Sequence, residues 1–154
     1  MTTMTETATT QVYQVYIKSS PEAIWEAITK PEFTMKYFHA SRVELTLVPG
    51  SAYEGWSTDR SMLWVDGTVV EADPPRRLQH TWRALYSEET AEEPHSRVTW
   101  EIEPAGEGVC LLRVVHDQLE NSPKTAESVS GTGWMHVLSG LKTLLETGEP
   151  LGLA

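Results

Sequence analysis

The sequence predicts an α+β protein in which a curved antiparallel sheet of about six to seven strands wraps around a long C-terminal helix, with two short helices after the first strand. Three observations predict it. From Arg42 to Asp117 apolar and polar residues alternate with period two almost throughout, the signature of half-buried strands. From Gly131 to Thr147 apolar residues fall at spacings of three and four, which aligns them on one helical face. Between these and the N-terminus lie two helix signals opened by proline, just after a short alternating run.

Each element follows in order. Residues 1–10 are Thr-rich and read as a disordered tail; 11–148 read as one domain and 149–154 as a C-terminal tail, since 154 residues suit a single domain. Tyr13, Val15 and Ile17 alternate with polar neighbours and form the first strand. Ser20-Pro21-Glu22 supplies an N-cap, a proline at the first helical position and an acid in the first turn, so a helix runs to about Thr29. Lys30-Pro31 ends it, and Glu32–Phe38 makes the second short helix. Val43–Leu47, Ser51–Trp56 and Met62–Ala72 are strand candidates, separated first by the turn Pro49-Gly50, with Asp66-Gly67 reading as a further turn. After the rigid turn Asp73–Arg77, Leu78, His80 and Trp82 share one face; Val98, Trp100 and Ile102 repeat it, as do Cys110, Leu112, Val114 and His116. The segment Ser87–Pro94 is an acidic hairpin loop, read as a solvated tip or a dock for a basic partner. Gly148, with Pro150 two residues on, terminates the last helix.

Composition excludes several function classes. A net charge of −10, with twelve basic residues scattered, opposes nucleic-acid binding. The N-terminus has no basic and apolar regions of a signal peptide, and no run of 18 apolar residues exists, so a cytoplasmic protein without a membrane span is expected. One cysteine, Cys110, excludes an internal disulfide. His39, His80, His95, His116 and His136 lack metal-ligand spacing, so neither a metal nor any other cofactor is expected. No Gly-rich phosphate loop and no nucleophile elbow appears.

A single helix cannot contact the whole concave side of a coiled sheet, so the gap becomes packed side chains or a cavity. Six tryptophans favour a cavity, because large rings span space that aliphatic chains would fill. The ligand-binding set read from the pattern is Trp25, Phe38, Trp56, Trp64, His80, Trp82, Trp100, Leu112, Val114, His116, Trp134 and Leu138. Core packing alone explains most of these residues. His80 and His116 stand out, since a polar ring on an apolar face needs a partner; with Glu54 or Glu71 they are the catalytic candidates for acid–base chemistry. His136 is expected outward or at the cavity mouth.

Ser20–Thr29, Gly67–Leu78, Thr81-Trp82, Ser96–Thr99, His116 and Gly133-Trp134 through Leu141–Gly148, in that order and covering roughly residues 12–148, resemble the bacterial activator of heat-shock-protein-90 ATPase homologue family. That family belongs to the START-like, birch-pollen-allergen-type superfamily, also called SRPBCC. The resemblance implies a helix-grip fold with a cavity between sheet and C-terminal helix. The superfamily includes lipid and hormone carriers, polyketide cyclases and ring-hydroxylating oxygenase domains, and the family name comes from eukaryotic co-chaperones. Three functions follow as expectations: a binding protein for a small apolar ligand such as a lipid, polyketide or aromatic metabolite; a cyclase or small hydrolase; and a co-chaperone-like interaction module. The last is weakened because the N-terminal chaperone-binding domain of eukaryotic relatives has no room in this chain. Assembly as a homodimer is left open.

Overall fold

The computed structural model describes residues 8–152, which form β1 (Gln11–Ile17), α1 (Pro21–Thr29), α2 (Pro31–Tyr37), β2 (Arg42–Leu45), β3 (Ala52–Trp56), β4 (Leu63–Asp73), β5 (Arg77–Ala84), α3 (Glu88–Ala91), β6 (Ser96–Gly106), β7 (Val109–Asp117), α4 (Pro123–Val129) and α5 (Thr132–Thr147). The tail expected at 1–10 lies mostly outside the described residues. Its last part is tied down: the Thr9 carbonyl accepts from Leu119 N at 3.4 Å, and the Ala8 carbonyl accepts from the Gln11 amide at 3.1 Å. Residues 153 and 154 also lie outside.

All seven strands form one antiparallel sheet in the order β1-β7-β6-β5-β4-β3-β2. Period-two alternation sets its faces. Leu78, His80 and Trp82, then Val98, Trp100 and Ile102, then Leu112, Val114 and His116 are all buried inward. Register aligns them in rows: Leu78 opposite Trp100 opposite Val114, and His80 opposite Val98 opposite His116. The outer face carries the charge. Arg77 bridges Glu71 and Glu101, Arg83 meets Asp66, and Arg97 meets Asp117. Four of the twelve basic residues, these three and Arg113, which meets Glu101, are thus cross-strand partners, each pair worth about 0.2–1 kcal/mol at such exposure.

Asp66-Gly67 is not a turn. Both residues lie inside β4, where a Cβ on residue 67 would stand 1.9 Å from the Thr81 carbonyl oxygen of β5. Glycine is needed for close approach of two backbones, which sequence alone cannot tell from turn chemistry.

The helices cover the concave face. Ser20 Oγ accepts from Ala23 N at 3.2 Å, and Pro21 opens α1, which buries Ile24, Trp25, Ala27 and Ile28. α5 buries Trp134, Val137, Leu138, Leu141 and Leu144 and stops at Gly148 in the left-handed conformation, φ 81°. Two helices were not expected. α3 sits inside the acidic loop, capped by Ser87. α4 lies between β7 and α5, and its first turn is held by the Glu93 carboxylate, which accepts from Lys124 N, Thr125 N and Thr125 Oγ1 at 2.7–2.9 Å. One acid of the loop therefore caps a neighbouring helix.

Candidate functional site

The gap between sheet and α5 is filled along most of its length and open at one end. There a pocket of about 440 Å³ is bounded by Trp64 and Val65 of β4, Trp82 of β5, Phe38, His39 and Ser41 after α2, and the first half of α5. α4 contributes Ser128 and Val129 to the wall. Tyr86, in the loop after β5, hydrogen-bonds Ser128 at 2.6 Å, so the loop and α4 are tied together beside the pocket.

The twelve residues of the sequence-derived set divide sharply. Phe38, Trp64, Trp82 and Trp134 line the pocket. His80, Trp100, Leu112, Val114, His116 and Leu138 are buried in the core behind it and are not among its lining residues. Trp25 is buried on α1 in the same core. Trp56 lies near the far edge of the sheet, its ring covered by the Arg60 guanidinium at 4.3 Å and its N–H directed at Glu54 Oε1 at 3.4 Å. Sequence reasoning missed the contributions of His39, Ser41, Val65, Tyr86, Ser128, Val129, Thr132, Gly133 and Val137. For α4 a signal existed: Ser122-Pro123 repeats the helix opening seen at Ser20-Pro21.

Aromatic rings join the pocket to the core. Trp100 meets Trp134 edge-on, centroids 5.4 Å apart at 77°, and Phe38 touches both at 6.2 and 5.9 Å. Each of these indoles donates its N–H to a buried histidine. Trp100 Nε1 donates to His80 Nε2 at 3.1 Å, and Trp134 Nε1 donates to His116 Nδ1 at 3.1 Å. Indole nitrogen only donates, so each receiving nitrogen is unprotonated. The other nitrogens must then carry the protons. His80 Nδ1 donates to the Thr81 carbonyl at 2.9 Å. His116 Nε2 donates to Ser96 Oγ at 2.7 Å, which in turn donates to the Trp82 carbonyl at 3.0 Å.

Both imidazoles are therefore neutral with both nitrogens engaged. Burial pushes His80 down to about 4; burial, then repulsion from His80, pushes His116 down to about 3. The carboxylates considered as their partners are elsewhere: Glu54 faces Trp56 and Glu71 binds Arg77. At these positions the arrangement fixes ring orientation and offers no free acid or base. Among the described residues, no three His, Cys, Asp or Glu side chains converge as a metal would require. No described helix is long and apolar enough to cross a membrane.

Solved structures with this fold include the Mesorhizobium loti protein MLL2253 (TM-score 0.72, 22% identity, covering 89% of this chain and 96% of that one). PFC0360w, an Hsp90 activator from Plasmodium falciparum, gives a TM-score of 0.71 at 18% identity over 93% of this chain and 99% of that one. The Aha1 dimer from Colwellia psychrerythraea gives 0.68 at 19% identity over 90% and 97%. At these identities the likeness establishes the helix-grip fold alone. A comparison with curated proteins gives no match. The family profile described as activator of Hsp90 ATPase homolog 1-like protein matches residues 18–146, nearly the whole described chain, and the protein belongs to that family.

Proposed function

We propose that the protein binds a small, largely apolar molecule in the pocket at the N-terminal end of α5. The supporting observation is the pocket itself: a space of about 440 Å³ walled by three tryptophans, one phenylalanine and three valines, beside a core of buried aromatic and aliphatic side chains. Burying about 300 Å² of apolar ligand surface there would supply roughly 7 kcal/mol before ordering costs, enough for micromolar binding without any catalytic group. The tethered His116 keeps the Trp134 ring in place as a wall, and the neutral state of both histidines spares the interior an ionic charge.

Quenching of tryptophan emission and thermal shift against a panel of fatty acids, flavonoids and aromatic polyketides test this reading. Val129→Phe, which fills the pocket from α4, should abolish the response while leaving the melting temperature of the free protein within a few degrees. If no compound shifts the wild-type protein, the carrier reading fails.

A second reading, activation of a chaperone ATPase, is supported by the family description and the Plasmodium neighbour. It needs an outer surface, so Val129→Phe should leave stimulation of a bacterial ninety-kilodalton chaperone unchanged. We place the protein in the cytoplasm on its single buried cysteine. The Colwellia dimer, together with outward-facing Val12 and Tyr16 on edge strand β1, supports a homodimer, which light scattering reads directly.

A further inference from the structure

The apolar pocket adjoins a second one of about 620 Å³, and the two share His39, Thr132 and Gly133 as a common wall. The second pocket has a different character. Lys36, His39 and His136 line it, and no Asp or Glu lines either pocket, although the chain carries 22 acids against 12 Lys and Arg. His39 and His136 stack face to face, centroids 4.9 Å apart at 14°. His136 Nδ1 is buried without a hydrogen-bond partner, the one such side-chain atom among the described residues. Every other buried polar side-chain atom there is satisfied, and an orphaned nitrogen leaves its desolvation uncompensated. The first turn of α5, on the shared wall, has no side-chain cap and no acid.

We propose that Lys36, His39 and His136 anchor the anionic end of the ligand, a carboxylate, while its apolar body lies among Trp64, Trp82 and Trp134. The proposal rests on the carrier reading and narrows it to carboxylic acids with an apolar body. A carboxylate only accepts hydrogen bonds, and it matches three groups that donate when protonated. His136 Nδ1 is itself covered, so the carboxylate meets it once the imidazole turns, and that turn would give the nitrogen the partner it lacks. His39 is also placed for the purpose: it and Ala40 hold left-handed backbone, φ 51° and 58°, which turns the chain where α2 meets β2 and sets His39 at the junction of both pockets.

The charge balance predicts a pH dependence. The titratable groups facing this junction are Lys36 and Tyr37 of α2, His39 of the following loop and His136 of α5; the C-terminal segment Pro150–Gly152 brings none. Tyr37 is buried, with its hydroxyl donating to the Ala27 carbonyl, and stays neutral. Burial, then the neighbouring His136, holds His39 below its ordinary value. An arriving carboxylate favours the protonated ring, so binding takes up a proton and weakens as pH rises from 6 to 8.

Calorimetric titration of the full chain with two matched pairs, decanoate and 1-decanol, and 2-naphthoate and 2-naphthylmethanol, tests the proposal. At pH 6 the acid of at least one pair should bind about tenfold more tightly than its alcohol, the worth of one charge-assisted hydrogen bond, and the ratio should shrink by pH 8. His136→Gln and His39→Gln, singly and together, should reduce the ratio towards one without weakening the alcohol. Equal binding of acid and alcohol in the wild-type protein overturns the anchor but leaves the carrier reading standing, as does an equal loss of both ligands in the histidine variants. Binding of none of the four compounds counts against both readings.

Discussion

His80 and His116 stand in one cross-strand row with Val98 between them, and each receives an indole N–H at 3.1 Å. The two tryptophans nevertheless end in different surroundings. Trp100 is 1% exposed and surrounded by core; Trp134, at 4%, presents a face to the pocket. The same bond thus serves packing in one place and wall-building in the other. What decides is the element that carries the ring. Trp100 comes from the middle of a strand under the helices, whereas Trp134 comes from the first turn of α5, where β4, β5, the Phe38–Ser41 segment and α4 surround a space that they do not fill.

The largest expected effect separates the two. Trp100→Phe removes the partner of His80 Nε2 in a sealed interior and leaves a small void, so stability should fall by about 3 kcal/mol. Trp134→Phe removes an equivalent bond, but the shortened ring lets the pocket, and water, reach His116 Nδ1; it should lose roughly 1–2 kcal/mol. Urea unfolding of both variants, with unchanged m-values, measures the difference. Equal losses would mean that Trp134 is core in the same sense as Trp100, and that the pocket does not border it.

How much of this was legible follows from the same residues. Alternation alone gave the inward faces of β5, β6 and β7, because a period of two needs no partner to be read. The 3–4 spacing gave α5 and its end at Gly148. The Trp–His pairs were hidden, since they join residues 20 and 18 positions apart and depend on register and on where α5 crosses the sheet. α4 escaped because Pro123–Val129 is short and has a single large apolar residue, so no moment could mark it. Unfilled volume is a property of packing among all these elements, which is why the twelve expected lining residues split into wall, core and, for Trp56, the far side of the sheet.

A smaller effect, expected from both pairs alike, is read by pH. Unfolded histidines titrate near 6.5, whereas His80 and His116 are held to about 4 and about 3 in the folded chain. The native state therefore binds fewer protons than the unfolded one below pH 6.5. Stability is full above that value and is lost as pH falls towards 4, with a slope approaching about 1.4 kcal/mol per pH unit for each histidine. Between pH 7 and 5 the carboxylates stay ionised, so the histidines dominate the slope. His80→Gln and His116→Gln should each remove about half of their joint contribution; a flat wild-type profile over this range would refute the neutral pairs.

The finest distinction involves no change in stability. Although both rings accept from an indole, they do so through different nitrogens: Nε2 in His80 and Nδ1 in His116. The protons must then sit on opposite atoms, Nδ1 of His80 facing the Thr81 carbonyl and Nε2 of His116 facing Ser96. Long-range proton–nitrogen correlation spectra of the labelled protein at pH 7 should show one neutral tautomer of each kind. Ser96→Ala should leave the His116 tautomer in place, because Trp134 still requires an acceptor at Nδ1. Trp134→Phe removes that requirement, so the His116 signals alone should move towards a tautomer mixture while those of His80 stay fixed. Movement of both sets would show that the two pairs are coupled through Val98 and the shared row, and the contrast between wall and core would lose its basis.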